Sequence, residues 1–476
     1  MTKKFALFFL IITAFWFLFT FRLTDVPPGI NGDEAAIGYN AALISQTGKD
    51  ARGNFLPLFT SMPESFDWKQ PVTVYATALA FKIFGSSYFV LRAVSVFFTL
   101  ISALLIYLLI NRVMGFKKAI LGLLIFAVIP AVMIQSHLAL ENIAPLPFIS
   151  FWLLMLYQYS TNRKTKYLIF SAVSLGFALF SYLGLRLIIP VLAITSLGFL
   201  GKSLKKWLIF VTCILPFFLL LLLARNQYPG SALGVFKSYQ ISSYQDLILP
   251  YISSFDPSFL FLSGDTTPYH STGKHGVFLL ATLPLFILGI IRIIQKRNRF
   301  LVFVLATFFL IPLFFGLGST VHRGSRLLVL VPLFVVIATV GFAQMRKIFA
   351  AAIIFLIILN FGDFLNDYWY HYPRRVKQEF AAPLHKAFAS LKKLSEDSNL
   401  KPHIQEDLPL QNPTAFLFFE QAYFPDKLER WRGDGLPEGK AVIFVDSTGL
   451  AAFKSTKMKV EKIAETDYAL VTNEKN

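Results

Sequence analysis

The chain has a single cysteine, Cys213, set inside an apolar run, so neither an intrachain disulfide framework nor a CxxC metal site can be built from it. Charge is scarce: 15% of the 476 residues are charged, where soluble domains carry roughly 25%. Acids are scarcer still before residue 362, where only ten occur: Asp25, Asp33, Glu34, Asp50, Glu64, Asp67, Glu141, Asp246, Asp256 and Asp265. No repeat or low-complexity segment stands out. These absences exclude a disulfide-stapled scaffold and an ordinary water-soluble globule. What is abundant is apolar: 55% of residues are hydrophobic, 52 are Phe, and the mean hydropathy is +0.59. A bilayer core of about 30 Å takes roughly 20 apolar residues per helix, and such runs recur up to about Asn360.

The first run, Phe5 to Phe21, follows Lys3 and Lys4 and has the look of a signal peptide. No small-residue cleavage site follows it and further apolar runs do, so it reads as a retained first span. Basic residues then recur in five short clusters, at Arg112/Lys117/Lys118, Arg163/Lys164/Lys166, Lys202/Lys205/Lys206, Arg292/Lys296/Arg297/Arg299 and Arg346/Lys347. Cytoplasmic loops are enriched in Lys and Arg, which puts these clusters and the N-terminus inside. The stretch from Lys166 to Gly201 would be about 54 Å long as one helix, too long for one crossing and right for two, turning near Ser181–Arg186. The same count gives turns at Ser136–Asn142 and Ser319–Arg326, a long outward loop over about 225–275, and a last span ending near 361. The expected architecture is an all-α polytopic membrane protein with about eleven transmembrane helices, N-terminus in, followed by an extracytoplasmic domain over 362–476. All ten acids then fall outside, although they played no part in setting the topology.

The inward clusters and the two N-terminal lysines hold 17 basic residues, which accounts for nearly all of the net charge of +18. A nucleic-acid partner is therefore excluded as the reason for the basicity: no basic stripe with interleaved aromatics is present. The tail balances 17 acids against 16 basic residues. It reads as a small α/β domain, with a helix over Glu379–Ser395 and strand-like runs at Ala415–Phe419, Ala441–Asp446 and Tyr468–Thr472.

The first outward loop, about 22–92, is the richest in polar residues. Pro27-Pro-Gly sets a turn, and a helix on the membrane surface is expected from Asp33. Asp67-Trp68-Lys69-Gln70-Pro71 leads into some 13 apolar residues, too short to span, which suit an interfacial helix. Asp33 and Glu34 have a bland reading as first-turn carboxylates that complement the helix dipole, capped by Asn31. Glu141 alters the balance, since a carboxylate in a short turn between two spans is a functional candidate by default; its structural alternative is a partner for Arg92 or Arg186. Lys69, Arg92, Arg186, His322, Arg323 and Arg326 share that outer side. Each alone suits snorkelling to headgroups. Together, a few carboxylates within a ring of cations suit an anionic lipid phosphate and a proton to be removed.

The order of a short first span, "PPGINGDEAAIGYNA", "DWKQPVTVY" and "LRAVS" resembles glycosyltransferase family 39, which includes the protein O-mannosyltransferases and the aminoarabinose transferases of lipid A, all with the GT-C fold. "SHLALENIAPLPF" and "SYLGLRLIIP" resemble its next two outward turns, and "FDPSFLFLSGDTTPYHSTGKHG" its long later loop. The resemblance covers about residues 5–345. It implies a membrane transferase moving a hexosyl or pentosyl unit, with inversion, from a polyprenyl-phosphate donor to a protein, lipid or glycan acceptor at the outer face. Asp33 would be the general base and Glu34 and Glu141 would orient acceptor or sugar. Lys69 and Arg186 would hold the phosphate, Arg92 would belong to the same binding set, and His322 and Arg323 would assist. No metal or other cofactor is required by this reading. The chain departs from the family at His137, where Arg is frequent, at Glu141, where Asp is commoner, and at Gln70-Pro71, where Pro-Pro is common. Two other classes remain open at this point: a carrier for lipid-linked saccharides, and a non-catalytic scaffold displaying the tail.

Overall fold

The computed structural model describes residues 3–473 except 64, 233–242, 319–320, 409–411, 426–427, 433–436, 438–439, 447–448, 451–452, 454–457 and 465. Glu64 and Ser319, assigned above to the outward loop and turn, lie outside the described residues.

The chain opens with α1 (Lys3–Thr20), then the first-loop helices α2 (Gly32–Thr47) and α3 (Pro71–Phe84), and the long α4 (Tyr88–Met114). Two shorter helices follow, α5 (Phe116–Ala127) and α6 (Pro130–Ser136), bent by 66°. Pro130 explains the bend, because it removes a backbone donor and disfavours helical geometry at the preceding residue. Then come α7 (Pro145–Asn162), α8 (Thr165–Leu179), α9 (Ile189–Leu200) and α10 (Leu204–Ala224). The long outward loop contains α11 (Tyr244–Ser253) and leads to α12 (Leu283–Lys296), α13 (Arg299–Leu310), α14 (Val331–Phe342) and α15 (Lys347–Asn366).

Among the described residues, five stretches suffice by length and composition to cross a membrane: Tyr88–Met114, Leu204–Ala224, Arg299–Leu317, Gly324–Phe342 and Lys347–Arg375, with the bent α5–α6 pair as a sixth. The other expected spans coincide with the shorter helices α1, α7, α8, α9 and α12. Only 22% of the apolar window in α10 and 11% of that in the last stretch is buried by protein, and Leu208, Leu223, Phe349 and Ile358 are bare. Such faces are costly in water and satisfied by lipid. Helix continues beyond the expected end at 361, through 375.

The tail contains α16 (Ala382–Asp397), α17 (Pro413–Tyr423) and a five-stranded sheet in the order β2-β1-β3-β5-β4, from β1 (Lys401–Gln405), β2 (Glu429–Trp431), β3 (Ala441–Asp446), β4 (Lys459–Lys462) and β5 (Tyr468–Asn473). β1 runs parallel to β2 and β3, whereas β5 is antiparallel to β3 and β4. The expected strands at 441–446 and 468–472 are present, and the expected helix begins at Ala382 rather than Glu379. The expected strand at 415–419 is instead helix α17. Asn412 caps it by accepting from the Ala415 N–H, Pro413 occupies its first turn, and Ala415, Phe416, Phe418 and Phe419 are buried.

The tail does not hang free. Phe388, Phe418, Phe419 and Phe444 pack in one core with Ile30, Ile37 and Ala41 of the first loop. Gly38 permits this contact: a Cβ there would meet the Phe418 ring at 2.6 Å. Gly29, at φ +121, passes so close under the Phe380 carbonyl that no side chain fits. The tail thus clamps the turn and helix that carry Asp33.

Candidate active site

Helix α2 starts where Asn31 accepts from the Glu34 N–H at 2.9 Å while the Glu34 side chain reaches back to the Asn31 N–H, a reciprocal cap. Adjacent residues on a helix point about 100° apart, and the two carboxylates have opposite fates. Glu34 is fully buried. It pairs with Arg92 Nε at 3.1 Å and accepts from the Ala139 N–H at 2.8 Å. Arg92, also fully buried, donates further to the carbonyls of Leu23, Pro27 and Gly29. Neither lines the cavity described next, which corrects the expectation that Glu34 is catalytic and Arg92 binds substrate. They hold the first loop, the 137–144 turn and α4 together.

Asp33 opens into a cavity of about 370 Å³ at one end of the bundle, with its side chain 61% exposed. Lys69, 7% exposed, lies beneath it with Nζ 2.6 Å from Asp33 Oδ1 and 2.5 Å from Asp67 Oδ2. Burial alone would raise the Asp33 pKa, but the Lys69 ammonium outweighs it and the net shift is downward. Burial would lower the Lys69 pKa, and Asp33 and Asp67 reverse that into an increase. Both groups are therefore ionised at rest.

Glu141 lines the same cavity and accepts a hydrogen bond from the Gln70 N–H. Burial pushes its carboxyl up to about 8 despite nearby Lys69. It pairs with neither Arg92 nor Arg186. Arg186 is buried and donates to Gln70 Oε1 at 2.9 Å, while its Nε and the other terminal nitrogen have no hydrogen-bond partner among the described residues. It stands behind the cavity wall, linked to Glu141 through Gln70.

Arg323 lines the cavity with Ser325 and Tyr182, whose hydroxyls are 3.1 Å apart. His322 does not; it pairs with Asp256 at 3.0 Å and lies over the Phe259 ring. Arg326 donates to the Gly318 carbonyl at 2.6 Å. The structure thus gathers Asp33, Lys69, Glu141 and Arg323 from four separated segments, and leaves Glu34, Arg92, Arg186 and His322 outside.

Several cavity residues escaped the sequence reading: Asp67, Asn142, Tyr182, Tyr269, His270 and Ser325. Asp67 and His270 stood within the motif stretches, but nothing local marked them as facing Asp33. Long-range bonds bring the loops together: Trp68 Nε1 donates to the Pro229 carbonyl at 2.8 Å, and Gln135 Nε2 to the Tyr269 carbonyl at 2.6 Å. Among the described residues no cluster of three or more His, Cys, Asp or Glu side chains gathers as a metal site.

Residues 68–224 match a family model described as dolichyl-phosphate-mannose-protein mannosyltransferase. Among solved structures, ArnT from Cupriavidus metallidurans in the apo state aligns with a TM-score of 0.57 at 12% identity, over 98% of this chain and 97% of that one. The same protein bound to undecaprenyl phosphate aligns at 0.58, with the same identity and coverage. No curated protein sequence matches the chain. The fold is that of ArnT along nearly the whole length, and the resemblance drawn from the first-loop motifs is borne out.

Proposed function

We propose that this chain, a GT-C membrane glycosyltransferase of the protein mannosyltransferase and ArnT type, transfers a sugar from a polyprenyl-phosphate donor to an acceptor at the outer membrane face, with inversion. The observation that carries this reading is one cavity holding an ionised Asp33 against a buried lysine, with Glu141 and Arg323 on its other sides. The ArnT structure with undecaprenyl phosphate supports the class of donor. Asp33 takes the proton of an acceptor hydroxyl or amine, for which it must come within about 3 Å. The freed electron pair attacks the anomeric carbon opposite the lipid phosphate, and the carbon–oxygen bond to phosphate breaks with its pair left on the phosphate. Lys69 and Arg323 offset the charge that gathers there. Glu141, kept neutral by burial, orients a hydroxyl of sugar or acceptor.

A carrier would move the same lipid without breaking it. The test is purified protein in detergent, where transport is impossible, supplied with undecaprenyl-phosphate-linked aminoarabinose or mannose and followed by mass spectrometry. Release or transfer of sugar by wild type, lost by about 10²–10⁴-fold in Asp33→Asn with lipid-phosphate binding retained, is the expected result. Wild-type turnover by Asp33→Asn would remove Asp33 as the base.

A further inference from the structure

The cavity's two sides differ in charge. Asp33, Asp67 and Glu141 all belong to the first-loop side, where Lys69 is already shared between two carboxylates. The rest of the lining comes from the long later loop and the turn before α14, with His270, Tyr269, Arg323 and Ser325. A carboxylate does stand behind that wall, but it is fully engaged. Asp265, 3% exposed, lies 3.0 Å from His270 Nδ1 and accepts from the N–H groups of Thr267 at 2.9 Å and Gly324 at 2.7 Å. Burial would raise its pKa; the His270 contact and these N–H donors outweigh burial and bring it down to about 2, so it stays a carboxylate. A carboxylate at Nδ1 fixes the imidazole as an Nδ1–H donor. That leaves Nε2, for which no hydrogen-bond partner lies in reach among the described residues.

We propose that His270, oriented by Asp265, is the residue that meets the departing lipid phosphate, its Nε2 turned to the phosphate oxygen while Arg323 flanks it. This rests on the transferase reading above and adds His270 to the groups that meet the anion. The polyprenyl phosphate leaves with one more negative charge than it carried as a diester, so a donor that can be positive there acts where charge develops. The charged and titratable groups around His270 are Asp265 behind it, Arg323 and Tyr269 beside it, and Asp33, Asp67, Lys69 and Glu141 across the cavity.

The test uses undecaprenyl phosphate, the product common to every sugar, titrated into full-length protein in detergent between pH 5.5 and 8.5, with the fluorescence of cavity-lining Trp68 as one readout. Wild type should bind undecaprenyl phosphate with a pH dependence beyond the one the phosphate brings by itself. His270→Gln should bind about tenfold more weakly at pH 6, the worth of one charge-assisted hydrogen bond. It should retain only the pH dependence of the phosphate itself, whose second pKa is about 6. Asp265→Asn removes the carboxylate that orients the His270 ring and should lose the same pH dependence. Wild-type affinity and pH profile in His270→Gln, or an unchanged profile in Asp265→Asn should His270→Gln not fold, would overturn the assignment and leave the transferase reading standing. Wild type that binds no undecaprenyl phosphate at any pH would bring down both.

Discussion

Arg92 holds Glu34 at 3.1 Å with both side chains wholly enclosed, while Asp33, one residue earlier, faces an open cavity and a different cation. The sequence offers two neighbouring carboxylates; the fold buries one as a strut and leaves the other facing the cavity. Removing Arg92 leaves a buried carboxylate without its countercharge, together with three carbonyls deprived of a donor. Arg92→Ala should cost about 3–5 kcal/mol, seen as a lowered melting temperature and poor recovery in detergent. A variant of unaltered stability would return Arg92 to the list of substrate contacts.

Lys69 sets the working pH of Asp33. Burial raises the pKa of that carboxyl, and Lys69, aided by Asp67 and His270, more than cancels it, so Lys69→Met removes the main opposition to burial. The acid limb of kcat/KM should then move to higher pH, whatever happens to the plateau. An acid limb that stays in place while activity falls would mean that Lys69 serves the phosphate alone.

Glu141 makes a second pH dependence, of opposite sign to that of a salt-bridged acid. Its folded pKa of about 8 lies above the ordinary 4.5, so the folded state binds the proton more tightly than the unfolded chain. The stability this brings is complete below the ordinary value and fades as pH rises toward 8. Glu141→Gln cannot ionise, so its melting temperature should gain on wild type steadily from pH 5 to pH 8. Parallel melting curves across that range would show that Glu141 is ionised throughout.

The tail clamp depends on the bare backbone of Gly38. Gly38→Leu drives a side chain into the Phe418 ring, already at 2.6 Å from where a Cβ would sit, at an overpacking cost of about 1–3 kcal/mol. Limited proteolysis should release a fragment beginning near 376–382 sooner than in wild type, and transfer should weaken because the same clamp fixes the Asp33 helix. A tail that stays protected would mean that its docking rests on the Gly29 contact instead.

How much of this was legible in the chain differs from element to element. Helix α2 was readable because its signals are local: Asn31 ahead of a first-turn acid and a Pro-Pro-Gly turn before it. Helix α17 was misread, since Ala415–Phe419 is a short apolar run that strand and helix share, and Asn412-Pro413 decided it as a cap. His270 went unnoticed because a histidine in a polar loop carries no mark of its partners; Asp265 and Gly324 are what aim it.

The sequence by itself determined the class of protein. Apolar runs and clustered basic residues act one residue at a time against the solvent, through transfer free energy and charge, so they need no fold to be read. Only the tertiary structure decided which carboxylate is free, that Lys69 sits between Asp33 and Asp67, and that a loop some 240 residues later closes the cavity. Those outcomes turn on distances of a few ångströms between segments remote in the chain, where electrostatic and hydrogen-bond energies change steeply, and no local pattern encodes such distances.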